Sequence, residues 1–143
     1  MNLRAILSAA AIGLGGLSAS ALAAPATAPH AAACVAALKA QEAELAESVK
    51  GGEPHEPVLL KVVRSGIAII GTQYLAGLRE GEARELLKAA EHDFHALSPD
   101  EAQLRQSACL QEGEALYTKA SPLEQSLITS AAQRRVRRLV AAG

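Results

Sequence analysis

The chain has 143 residues, half of them apolar, with 14 basic and 15 acidic side chains, two cysteines, no tryptophan and three aromatics, Tyr74, Phe94 and Tyr117. Such a length supports one hydrophobic core, and a formal charge of −1 excludes a strongly charged disordered chain and argues against a nucleic-acid binder.

The opening segment reads as an address. Arg4 gives it a positive start, Ala5 to Leu17 is an apolar run too short to span a bilayer, and Ala21-Leu22-Ala23 forms a small-x-small cleavage site. Residues 1–23 are therefore expected to be a secretory signal peptide, 24–30 a flexible mature N-terminus and 31–143 a single helical domain. Export implies a periplasmic or secreted protein. It also implies that Cys34 and Cys109, an even pair in an oxidising compartment, form a disulfide. Ala31-Ala32-Ala33 before Cys34 lacks the bulky residue expected of a lipid-modified cysteine, and no CxxC or haem-attachment pattern occurs.

The first helix is expected over 31–50, with Ala31, Cys34, Val35, Leu38, Leu45 and Val49 on one face and Gly51-Gly52 ending it. Glu42 falls in the middle of that face. The second begins near Pro57, with a stripe of Leu59, Val63, Ile67, Ile70, Tyr74 and Leu78 opposite Lys61, Arg64, Ser65, Thr72 and Arg79. Lys61 and Arg64 inside this apolar stretch argue for a core helix and against a membrane span. A third helix over 82–97 faces the core with Ala83, Leu86, Leu87, Ala90, Phe94 and Leu97.

Two capping boxes, Ser98-Pro99-Asp100-Glu101 and Ser121-Pro122-Leu123-Glu124, start the fourth and fifth helices. The two segments also match at Leu104 and Leu127, Ser107 and Ser130, Ala108 and Ala131, and Leu116 and Leu139; two copies make weak support for a repeat architecture. No segment alternates with period two and no Asn-Gly or Asp-Gly hairpin turn appears. The expected fold is all-α, an antiparallel bundle of four or five helices stapled by the disulfide.

His92 and His95 lie three apart on the third helix with Glu91 beside them, a spacing that can bring imidazole and carboxylate to one metal ion. The helical wheel sets both histidines outward, and a metal site needs further ligands and supporting partners, so no metal or other cofactor is expected. Arg134, Arg135, Arg137 and Arg138 cluster on the last helix, where they suit either an anionic partner or the solvated surround of the stripe Ile128, Ala132, Val136 and Leu139. Glu42 and Arg105, polar residues at inward positions, are expected to pair where the disulfide docks the first and fourth helices.

No GxSxG elbow, HExxH, GxxxxGK or GxGxxG is present, so no catalytic residues are assigned. The reading that follows is a small exported, non-catalytic helical protein that binds another envelope or periplasmic protein, as an adaptor, inhibitor, immunity-type factor or chaperone. The alternatives are a bundle that binds a metal or small ligand and a module that touches the membrane surface through its arginine-rich last helix. Nucleic acid is not expected as a partner, since nothing supplies a platform of aromatics for bases.

Overall fold

A computed structural model describes residues 26–142. The expected signal peptide lies outside the described residues. Five helices follow one another: α1 (Ala28–Lys50), α2 (Glu56–Leu75), α3 (Glu80–His95), α4 (Pro99–Lys119) and α5 (Pro122–Ala141).

Local chemistry sets most of the helix ends. Thr27 caps α1, its hydroxyl accepting from the His30 backbone N–H, and Pro29 sits in the first turn. Helical structure thus begins three residues before the expected Ala31 and includes His30. Both serine capping boxes are formed: Ser98 with Glu101 opens α4, and Ser121 with Glu124 opens α5. Gly52 and Gly77, with φ of 92° and 102°, take the left-handed conformation that turns the chain after α1 and α2.

Cross-helix pairs fix the directions. His30–Glu112 and Cys34–Cys109 run in opposite senses along α1 and α4, and Leu59 and Val63 of α2 share a buried cluster with Ala132 and Val136 of α5. α1 and α4 are therefore antiparallel. The paired helices α1 and α2 form the centre; α3 lies on α1, α5 on α2, and α4 crosses both.

Alanine makes the centre thin. Ala31, Ala32, Ala36 and Ala37 are buried on α1 beside Leu38, Val62, Ile69, Ala90 and Phe94, and a second cluster joins Ala46, Leu59, Val63, Ala132 and Val136. Each fully buried Leu, Ile or Val contributes about 1.5–3 kcal/mol. α4 and α2 approach closely at Gly113 and Ser65, where a Cβ on the glycine would lie 2.5 Å from the Ser65 Cβ. The expected disulfide is present, with Cα atoms 5.1 Å apart.

Two sequence expectations need correction. On α2 the buried residues are Leu59, Val62, Val63, Ser65, Ala68, Ile69 and Gln73, whereas Ile67 and Ile70 are half-buried and Tyr74 is exposed. Because α2 packs against α1, α4 and α5, its burial spreads over several faces and departs from the one apolar stripe. Glu42 is buried as placed, but its partner is Arg135 of α5 and not Arg105: Arg135 Nε donates to both carboxylate oxygens at 2.9 and 3.1 Å and Nη2 to one at 2.6 Å. Successive residues on a helix are turned by about 100°. Gln41 and Leu45 line a cavity with Pro99 and Ala102 of α4, and Glu42 is rotated away from that side towards α2 and α5.

Candidate functional site

The structure does not gather Glu91, His92 and His95. His92 and His95 are exposed, and the Glu91 carboxylate is taken by the Lys39 ammonium across the α1/α3 contact. The arginine cluster is divided. Arg135 is committed to Glu42, while Arg134, Arg137 and Arg138 are exposed, Arg138 along the α1/α5 seam.

A groove of about 520 Å³ with a mainly apolar lining lies between α4 and α5. These helices meet at the Ala120–Ser121 turn and touch little beyond it. The floor is α2, which contributes Ala68, Gly71 and Thr72, with Leu75 at the end. A Cβ added at Gly71 would meet nothing within 4 Å, so the floor is open. Leu116, Lys119 and Ala120 form the α4 wall and Glu124, Leu127 and Ile128 the α5 wall. Around the mouth, Leu75 is 82%, Leu127 63% and Tyr74 45% exposed.

The groove is braced from below. Gln125 Nε2 donates to the carbonyls of Tyr117 and Ala120 at 3.0 and 3.2 Å, tying the start of α5 to the end of α4. The Tyr117 and Thr129 hydroxyls share a hydrogen bond of 2.9 Å between α4 and α5. Arg64 of α2 lies 4.1 Å from the Tyr117 ring centroid and donates to Glu114 at 2.9 Å. Desolvation at this contact pushes the Glu114 carboxyl up, but the hydrogen bonds and charge of Arg64, with Ser65 and Lys61, outweigh it and hold the group below the usual carboxylate range. The angle between α4 and α5 is thereby set before any ligand arrives.

A smaller apolar groove opens between α2 and α3, where α1 provides the floor. Val35, Ile70 and Leu87 are common to its two compartments of about 100 and 290 Å³. Ile67, Ile70, Tyr74 and Leu78, the expected inward stripe of α2, line it.

Among the described residues, one group brings three metal-type donors together: His30, Cys34 and Glu112, all within 4.8 Å of one another. His30 Nε2 lies 2.7 Å from Glu112 Oε2, and each is 3.8 Å from Cys34 Sγ. In the disulfide form that sulfur carries neither proton nor charge, and His30–Glu112 is a polar pair covering the bridge. Sequence reasoning missed this group because His30 fell in the segment expected to be flexible and its partner is 82 residues away. The spacings His30-x3-Cys34 and Cys109-x2-Glu112 were the available signal.

No known protein family, curated protein or solved structure matches this chain.

Proposed function

We propose that this protein is a non-catalytic binding protein of the cell envelope that seats an apolar helical segment of another envelope protein between α4 and α5. The observation that carries the reading is the braced groove: small residues floor it, leucines stand exposed around its mouth, and its walls are fixed in advance. Bulky anchors spaced i, i+3 or i+4, and i+7 on a partner helix fit a floor of Ala68, Gly71 and Thr72. Pre-set walls reduce the ordering cost of binding. Charge chooses the rim of that partner: Lys119 stands on the α4 wall and Glu124 on the α5 wall, so the bound helix carries an acidic residue on one flank and a basic one on the other. The disulfide suits an oxidising compartment.

The test is capture from the native envelope by the oxidised mature protein, run beside the variants Leu75→Glu and Leu127→Glu. Both side chains are largely exposed, so the variants should unfold at the wild-type temperature. Loss of one stoichiometric partner with either variant, and its displacement by an amphipathic peptide from that partner, supports the reading. A partner held equally by both variants removes the groove from the interaction. A dimer in sedimentation that the same variants dissociate replaces the foreign helix with a second copy of this chain, and absence of any partner removes the binding role.

A further inference from the structure

We propose that reduction of the Cys34–Cys109 bridge converts the α1/α4 contact into a four-ligand zinc site made of His30, Cys34, Cys109 and Glu112, so that the protein carries zinc when reduced and none when oxidised. This site is independent of the groove between α4 and α5.

Geometry and donor chemistry carry the proposal. Cys109 is bonded to Cys34 and is therefore in reach of the same ion, so the three gathered donors become four. In a tetrahedral zinc site with bonds of about 2.0 Å to nitrogen or oxygen and 2.3 Å to sulfur, ligand atoms stand about 3.3–3.8 Å apart. The Cys34 sulfur already lies 3.8 Å from both His30 Nε2 and Glu112 Oε2. The His30–Glu112 separation of 2.7 Å has to open by about 0.6 Å, which inserting an ion between a ring nitrogen and a carboxylate does. The two sulfurs must also separate once their bond is broken, and thiol side chains do this by rotating about the Cα–Cβ bond. Two thiolates, one imidazole and one carboxylate are a donor set that suits zinc.

The backbone supports the set. His30 and Cys34 are one turn apart on α1, as are Cys109 and Glu112 on α4, so each helix presents two ligands on one face. Thr27 caps the turn that holds His30. The cysteines are buried, while the side chains of His30 and Glu112 are 52% and 29% exposed. The ion thus enters from the histidine side, above a dry sulfur floor.

The chemistry balances. A dithiol reductant gives two electrons and two protons to the bridge; the S–S bond breaks, two thiols form and the reductant closes to its own disulfide. Zinc then displaces two protons from the thiols to solvent and binds neutral His30 through Nε2, whose proton shifts to Nδ1. Oxidation by a disulfide donor takes the two electrons back, re-forms the bridge and releases the ion.

The experiment uses the mature protein, oxidised and reduced under anaerobic conditions, titrated with Co²⁺ as a spectroscopic stand-in and then with Zn²⁺. The reduced form is expected to bind one equivalent of Co²⁺ with a thiolate-to-cobalt charge-transfer band and the intense visible bands of tetrahedral cobalt, both erased by Zn²⁺. The oxidised form is expected to show neither. His30→Ala and Glu112→Gln, each of which leaves the disulfide intact, should weaken Zn²⁺ binding by more than the roughly 10-fold that loss of an outer-shell partner brings; a His92→Ala/His95→Ala double variant should bind as wild type. Circular dichroism follows the fold, and if the reduced chain loses helix, Zn²⁺ is expected to restore it. Absence of the charge-transfer band in the reduced wild type overturns the site, and so does helix loss that zinc fails to reverse. Wild-type affinity in both His30→Ala and Glu112→Gln equally overturns it, since two thiols alone would then account for binding.

Discussion

Replacing Gly113 with alanine probes a close approach of α4 to α2. A Cβ built there lies 2.5 Å from the Ser65 Cβ, 2.7 Å from the Ser65 carbonyl oxygen and 2.8 Å from its Cα. Two of these are backbone atoms that no side-chain rotation removes, so α4 must retreat from α2. Overpacking a close contact costs about 1–3 kcal/mol, and a collision with backbone belongs at the upper end. Alanine's better helix propensity returns about 1 kcal/mol, which leaves a net loss of about 2 kcal/mol. In a domain of this size that lowers Tm by about 6–12 °C. The retreat also lengthens the hydrogen bonds from Arg64 and Ser65 to Glu114, now 2.9 and 3.1 Å. Gly66→Ala is the control: a Cβ there meets nothing within 4 Å, so the same substitution should stabilise by up to about 1 kcal/mol. Thermal and urea unfolding followed by circular dichroism on the oxidised protein measures both. A Gly113→Ala variant at least as stable as wild type, or a Gly66→Ala variant that loses stability, would refute the packing argument.

Arg135→Gln leaves the Glu42 side chain, 9% exposed, without its partner, and a loss of about 2 kcal/mol is expected, below the range for a fully buried pair because Arg135 is 40% exposed. Glu42→Leu/Arg135→Leu should lose less than the sum of its single variants, and additive losses in a double-mutant cycle reject the coupling. Glu101, Glu114 and Glu124 all sit below the usual value of 4.5. The backbone N–H of Ser98 and that of Ser121 are the leading causes for the first and last. Groups lowered on folding contribute stability above the unfolded pKa and lose it as pH falls through the folded one. Urea midpoints should therefore hold from pH 7 to about 5 and fall below 4.5, with a shallower fall in Glu114→Gln; an unchanged acid limb excludes that carboxylate. Cys34→Ser/Cys109→Ser removes a cross-link across 75 residues, worth about 4 kcal/mol on the chain-entropy account, and an unshifted urea midpoint would contradict it.

Helix starts were legible where a side chain satisfies its own backbone. Ser98 and Ser121 each lie three residues before a glutamate, and that local chemistry needs no tertiary partner. The disulfide was legible because only two cysteines occur. Pairs made across the bundle were not. Glu42 was recognised as an inward acid, yet choosing Arg135 over Arg105 depends on which helix faces that side of α1, and spacing along one helix does not contain that choice. His30 was missed for the same reason, since its meaning lies in Glu112 on another helix. The groove between α4 and α5 follows from the angle at the Ala120–Ser121 turn, which is set by Gln125, Tyr117 and Thr129 acting together.

The mismatch on α2 is informative about function. By length and composition this helix is apolar enough to cross a membrane, yet it packs as a core helix, and its apolar surface exceeds what its neighbours cover. The excess is localised. Ile67, Ile70, Tyr74 and Leu78 line the groove floored by α1, and Gly71 and Leu75 lie in the groove between α4 and α5. Lys61 and Arg64 are paired with Glu114 of α4, and half-buried or exposed apolar residues remain at the two openings. A helix that only filled a core would turn those residues towards its neighbours. The uncovered apolar residues fit a scaffold whose binding surface is that part of its central helix. Charged substitutions at Leu75 should therefore impair partner binding far more than folding, and the reverse ratio would return α2 to a purely structural role.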